Sequence, residues 1–305
     1  MDALQLNLTP VDRVLRRSPL LAVGEYRCPV TDPQFAGGGP QLCHYIVFPR
    51  RAVRIQVEGD EPQVAAPGTL RFYNVGDCYR RAAIGRQSDE SDWIGLDARL
   101  FEELLAQLPG ARADGALSAR FALRASPASA RLCLAQRRLF AWAATEGGDR
   151  LGFEEGALEL ARRSLEQAAL AWRADVRSRR TPRPASQRRR RQIAEQAKEI
   201  LALDPALELS LEEVARQVHC SVAHLSRVFR RHTGATLHGY RQQIRLHQAL
   251  QMLGDGGLSL ADVAAQLGFA SQSHMSEAFR RHFGARPSGL RALAAGRPDP
   301  PGGAP

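Results

Sequence analysis

Five arginines stand out for the chemistry their side chains can do: Arg227 and the paired arginines Arg230, Arg231, Arg280 and Arg281 all fall in segments that the chain repeats. A guanidinium donates from a planar fork, so it can hold a phosphate oxygen pair or the edge of a guanine with two parallel hydrogen bonds. Around these residues the repetition is extensive. Ser210-Leu-Glu-Glu-Val-Ala-Arg-Gln-Val218 matches Ser259-Leu-Ala-Asp-Val-Ala-Ala-Gln-Leu267 at an offset of 49, and the stretch His224 to Ala235 matches His274 to Ala285 at an offset of 50. One residue of difference, placed in a turn, marks two copies of a single supersecondary unit.

Each copy spells out the elements that must position those arginines. A short helix starts at a serine cap (Ser210, Ser259) with an acid in its first turn (Glu213, Asp262) and buries Leu, Val and Ala on one face. A tight turn follows, containing His219-Cys220 in the first copy and Gly268-Phe269-Ala270 in the second; Ser221 or Ser271 then caps a second helix. Leu225 with Phe229, and Met275 with Phe279, form its apolar face, and Gly234 or Gly284 ends it. Helix, short turn, helix is the unit whose second member enters a DNA major groove. Residues 238 to 253 read as a joining helix of about 24 Å at 1.5 Å per residue, a strut that could hold two such helices to successive grooves about 34 Å apart.

The charge agrees with that placement. The net charge is +10, yet residues 1–177 carry 23 Lys+Arg against 22 Asp+Glu, whereas residues 178–305 carry 19 against 10. An excess confined to one region points to a polyanion, nucleic acid first and an acidic membrane surface second. At 305 residues, 44% hydrophobic and 24% charged, the chain is an ordinary folded protein of about two domains. It contains no apolar run long enough for a bilayer and no secretory start, so a cytoplasmic location is expected, with no membrane partner.

The amino-terminal half has a different texture. From 20 to 96 it reads as short strands, clearest at Ala52 to Glu58 where apolar and polar residues alternate, and the economical fold is a small β-sandwich or barrel of cupin-like character. Helices are expected over 97–177: one from an Asp97 cap through Leu108, then Ala130 to Thr145 and Glu154 to Arg177 as an antiparallel pair. Leu139, Trp142, Leu158, Leu165 and Trp172 would pack on the sheet and on each other, or meet a second copy of the chain. Residues 178–191, with seven arginines and two prolines, read as a linker, either a solvated spacer or a tether that touches phosphate. The carboxy-terminal domain then spans 192–293, with units at about 210–232 and 259–282, and 294–305 reads as a disordered tail. The fold class is α+β followed by an all-α domain.

From about Ile193 to Leu293 the sequence resembles the DNA-binding domain of the AraC/XylS family of bacterial transcription regulators. The resemblance rests on the tandem units, the connecting Arg245 to Leu253, Val263-Ala-Ala-Gln-Leu-Gly-Phe269, Phe279-Arg-Arg-His-Phe-Gly284 and Pro287 before Arg291. It implies a transcription regulator, more often an activator, with double-stranded DNA and RNA polymerase as partners. It also implies an amino-terminal domain that senses a small molecule and often forms a homodimer. The base-reading positions it implies, in phase with the helix, are Ala223, Ser226 and Arg227 in the first copy and Gln272, Ser273, His274, Ser276 and Glu277 in the second. Arg227 suits a guanine edge, although a surface ion pair is the plainer use of it. Glu277 departs from the basic residue common in the family and suits only a cytosine amino group. Ser221, Arg230, Arg231, Ser271, Arg280 and Arg281 are the phosphate candidates.

For the effector, alternation and side-chain type suggest Tyr45, Arg54, Phe72, Tyr73, Tyr79, Arg80 and Trp93. Catalysis is not expected. Seven of the eight histidines lie at or after His219, leaving only His44 for a cupin-type metal cluster, and no phosphate loop, GxSxG elbow or paired-carboxylate motif is present. Neither metal nor cofactor is anticipated. Two other readings use cysteine. An alkylation-response regulator would need a four-cysteine zinc site, which spacings of 15, 35, 55 and 87 residues do not make. A thiol sensor would use Cys28, Cys43 and Cys78, although isolated cysteines are more often buried apolar residues.

Overall fold

Alternation with period two builds the amino-terminal domain of this computed structural model, which describes residues 4–108, 120–121, 123–145, 149–178 and 184–294. Its strands are β1 (Asp12–Arg17), β2 (Leu21–Cys28), β3 (Gly37–Gly38), β4 (His44–Pro49), β5 (Val53–Val57), β6 (Gln63–Ala65), β7 (Thr69–Tyr73), β8 (Tyr79–Ala83), β9 (Asp89–Leu96) and β10 (Ala125–Pro127). They form two antiparallel sheets, in the orders β1-β2-β9-β4-β7-β10 and β3-β8-β5-β6. The β-rich region thus begins before residue 20 and regains a strand after 96.

The six-stranded sheet is buried on both faces, and alternate residues of each strand serve different cores. Val23, Ile46, Phe48, Leu70, Phe72, Ile94 and Leu96 point to one side, where α1 (Ala98–Gln107), α2 (Ala130–Ala143) and α3 (Arg150–Ser178) cover them. Tyr26, Tyr45, Tyr73 and Trp93 point to the other side, against Val53, Ile55, Val57 and Ala65 of the smaller sheet. Gly24 pairs with Trp93 across the β2–β9 ladder, and a Cβ there would fall 2.3 Å from the indole. Leu139, Trp142, Leu158 and Leu165 pack against the first core, and Trp172 is half-buried. His44 stacks on Phe101 with ring centroids 3.9 Å apart, and burial lowers its pKa to about 4.

The arginine-rich stretch differs from the linker expected at 178–191. Residues 184–191 open α4 (Pro184–Leu203), and 179–183 lie outside the described residues. Charge repulsion does not keep the later part extended because the same helix carries an apolar face, Ile193, Ala194, Ala197, Leu201 and Ala202, which is buried. That face packs between Ala52, Val64, Ala66 and Ile84 of the first domain and the first repeat of the second. Beyond it come α5 (Leu211–Gln217), α6 (Val222–Thr233), α7 (Leu237–Asp255), α8 (Leu260–Gln266), α9 (Gln272–Phe283) and α10 (Pro287–Ala294). Residues 295–305 of the expected tail lie outside the described residues. No helix among the described residues is long and apolar enough to cross a membrane.

Candidate nucleic-acid interface

The two repeats form the same structure from the same local signals. Ser210 Oγ accepts from the Glu213 backbone N–H at 3.1 Å while the Glu213 carboxylate accepts from the Ser210 N–H at 2.7 Å. Ser259 and Asp262 repeat this capping box at 3.0 and 3.1 Å. The backbone hydrogen bond from Ser210 lowers the Glu213 pKa, so the cap carries its charge against the positive end of α5. The turn then needs a left-handed residue: Gly268 supplies it with φ 68°, and His219 with φ 53°. Ser221 and Ser271 accept from the N–H groups of His224 and His274 at 3.3 and 3.1 Å, opening α6 and α9. Gly234 and Gly284, with φ of 76° and 70°, end them.

The strut divides between the copies. Leu237, Tyr240 and Ile244 of α7 join Leu225, Val228 and Phe229 in one core, while Leu246, Ala249, Leu250 and Leu253 join Met275, Ala278, Phe279 and Phe283 in another. With 19 residues, α7 is about 28 Å long. Burying the apolar face leaves the other face outward: Ala223, Arg227, Arg230 and Arg231 on α6 are exposed and Ser226 is half-buried. On α9, Gln272, Ser273, His274, Glu277, Arg280 and Arg281 are exposed and Ser276 is half-buried. The caps Ser221 and Ser271 are exposed as well.

The two faces carry different charge. Glu277 and Arg281 pair at 2.6 Å, both largely exposed. Among the described residues Arg227, Arg230 and Arg231 enter no ion pair. His232, at the end of α6, places Nε2 2.9 Å from Glu195 of α4. Glu195 also accepts from the Val64 N–H of β6 at 2.6 Å and from Lys198 at 3.0 Å. Burial pushes the Glu195 carboxyl up, but Lys198, His232 and the Val64 N–H outweigh it and hold the pKa at about 2. Copy two is fastened differently: Asp255 at the end of α7 pairs with Arg50 of the barrel and Arg137 of α2. His247 packs against Gly68, with its Nε2 3.3 Å from that of His282.

Between the two sheets lies a cavity of about 250 Å³. Of the residues expected at an effector pocket, Tyr45, Tyr73, Tyr79 and Trp93 line it. Arg54, Phe72 and Arg80 do not: Arg54 faces outward to Glu199 of α4, Phe72 points into the helix-covered core, and Arg80 is exposed. Each lies one residue out of phase with the inward face of its strand, where a step of one reverses the side chain. Arg71 and Arg81, their inward neighbours, line the cavity instead and were not anticipated. Desolvation raises the thiol pKa of Cys28 and takes that of Cys43 to about 12, which makes both poor nucleophiles. Cys78 is half-buried, and all five cysteines are free.

Comparison with known proteins bears on the carboxy-terminal region. A family model described as a helix-turn-helix domain matches residues 214–292. A transcriptional regulator from Chromobacterium violaceum, of the proteins containing an AraC-type DNA-binding domain, is 27% identical over 37% of this chain and 97% of its own, with a TM-score of 0.33. The DNA-binding domain of AdpA, crystallised with a target DNA, is 26% identical over 35% of this chain and 93% of its own, with a TM-score of 0.31. ToxT from Vibrio cholerae, solved with an unsaturated fatty acid bound, is 11% identical over 92% of this chain and 98% of its own, with a TM-score of 0.34. No curated protein matches the chain. Residues 214–292 therefore match a helix-turn-helix domain, a match that spans most of both copies of the repeat.

Proposed function

We propose that this chain is a DNA-binding transcription regulator of the AraC type that answers to a small molecule held between the two sheets, and that Arg227 and the outward residues of α6 and α9 read its site while Arg230, Arg231, Arg280 and Arg281 hold phosphates. One observation supports ligand control above the others: β6 belongs to both halves of the device. Ala65 lines the cavity and Gln63 accepts from Arg71 on the cavity wall at 2.7 Å, while the Val64 N–H between them holds Glu195 and, through it, the end of α6. A ligand that moves β6 by a fraction of an ångström acts on the α4–α6 contact directly. The coupling free energy of such paired sites is typically about 1–3 kcal/mol.

Base readout from two grooves implies a footprint covering two helical turns on one side of the duplex. Footprinting the purified chain on fragments around its own gene, with and without cell extract, tests both parts. Protection that changes with extract is the expected outcome; protection equal on native and scrambled fragments would defeat the reading. The same reading makes the protein an activator in the cytoplasm that meets RNA polymerase as a homodimer, which transcription in vitro and sedimentation of the full chain test.

A further inference from the structure

We propose that the effector is a small organic acid whose carboxylate binds Arg71. The inference rests on the effector reading above and adds the chemistry of the ligand. Arg71 sits in the middle of β7 and is 2% exposed, and its strand phase turns it with Tyr73 into the cavity. Four ionisable acids and bases line that space: Asp12, Asp89, Arg71 and Arg81. Three of them are satisfied from within. Arg81 pairs with Asp89 at 2.9 Å, donates to the Gln34 carbonyl at 3.0 Å, and lies over the Tyr26 ring at 4.6 Å. Asp12 accepts from the Thr9 N–H at 2.8 Å and the Thr9 hydroxyl at 2.7 Å.

Arg71 differs. Its partners are neutral: Nη1 donates to Gln63 Oε1 at 2.7 Å and the Tyr73 hydroxyl lies beside it, while its Nε, like that of Arg81, has no partner. Among the described residues no carboxylate pairs with it. The neighbouring Tyr73 hydroxyl supplies no counter-charge, because burial raises its pKa more strongly than Arg71 lowers it. A guanidinium enclosed without an opposite charge is costly, and a fold retains it where something else supplies that charge. A carboxylate does so with the matching two-oxygen geometry, whereas a neutral polyol leaves the charge uncompensated. Around it Tyr45, Tyr79, Trp93 and Ile55 present ring and aliphatic surface, which suits an apolar or aromatic body. About 250 Å³ is near the lower end of small-molecule sites and too little for a peptide.

The test uses the full chain with benzoate, 4-hydroxybenzoate and hexanoate as probes, their uncharged amides as controls, and inorganic phosphate as an anion with no apolar body. Quenching of indole fluorescence, with Trp93 on the cavity wall, and the rise in melting temperature report occupancy. The expected result is that at least one carboxylate binds and its amide binds at least about tenfold more weakly, as a charge-assisted pair requires. R71Q should remove that preference, whereas R54Q, outside the cavity, should keep it. R71M should also melt higher than the parent without ligand, because it removes the enclosed charge. A lower melting point for R71M would assign the guanidinium a structural role and overturn the proposal. Equal binding of acid and amide would overturn the acid class but leave the cavity as the effector site; tightest binding by inorganic phosphate would reduce it to an adventitious ion. If no probe, charged or neutral, gives quenching, the ligand class and the cavity reading fall together.

Discussion

The two helix-turn-helix copies share caps, turns and glycine stops, yet they differ in what they show to DNA and in how they are held. Copy one presents Arg227, Arg230 and Arg231 unpaired; copy two presents Glu277 engaged with Arg281 at 2.6 Å, leaving Arg280 as the free cation of α9. Copy one is anchored by Glu195, whose side chain is 11% exposed, and copy two by Asp255, whose side chain is 45% exposed. Duplication therefore preserved the skeleton while the surface diverged. On the proposed function, base reading and ligand coupling both concentrate on the first unit, and the second supplies position.

The largest expected effect bears on anchoring. Removing Glu195 strips a partner from the buried Val64 N–H and from Lys198, so E195A should lose about 3–5 kcal/mol in urea unfolding. D255A removes a carboxylate that is 45% exposed, yet takes the acidic partner from buried Arg137 and one of three from buried Arg50, so it should lose less, about 2 kcal/mol. Equal losses would erase the distinction between a buried and a screened anchor.

Next comes readout. R227A should lose about 1–3 kcal/mol of discrimination at one base position, while R230A should weaken binding to every sequence and flatten the salt slope by about one unit. E277A should do the reverse in copy two: freeing Arg281 strengthens binding to all sequences and steepens the slope. Gel shifts on cognate and scrambled duplexes across a salt series separate these outcomes. Sequence-selective loss in E277A would show that copy two reads bases as well.

Much of this division was legible in the residues. The repeat, its serine caps, Gly234 and Gly284 are local signals, and local signals survive without knowledge of the tertiary fold. The sandwich was legible in outline only. At β7 the stretch Thr69-Leu70-Arg71-Phe72-Tyr73 puts Arg71 and Tyr73 on one face and Phe72 on the other, so selecting both aromatics assumed two phases at once. The choice of face depends on which core lies where, and here both faces are buried, so polarity does not mark the inner one. The helix replacing the arginine-rich linker was obscured for a related reason: Ile193 to Ala202 find their apolar partners in the first domain, far away in sequence.

A smaller effect distinguishes the anchors by pH. Burial lowers the His247 pKa to about 3, with His282 beside it acting in the same sense. Below the unfolded value of about 6.5 the unfolded chain takes up a proton that the folded chain refuses, so this contribution costs stability as pH falls from about 6.5 towards 3. At pH 5 the cost is about 2 kcal/mol relative to pH 7. The stability difference between the parent and H247Q should therefore narrow in favour of the variant as pH drops, measured by urea midpoints at pH 7 and pH 5. A gap that stays constant would mean that His247 is not held neutral between the barrel and copy two.

The smallest difference lies in the turns. Gly268 takes a left-handed conformation and also approaches the Ala206 carbonyl so closely that a Cβ would lie 2.8 Å away. His219 occupies the matching turn of copy one with φ 53°, where a side chain is accommodated at some backbone cost. G268A should therefore destabilise by about 1–2 kcal/mol, whereas H219G should change stability by less than about 1 kcal/mol, because relief of strain offsets the greater freedom of an unfolded glycine. Thermal melts of the two variants compare the turns directly. Equal losses would mean that copy one depends on the His219 side chain, and that the units differ in the packing of their turns as well as in their outward faces.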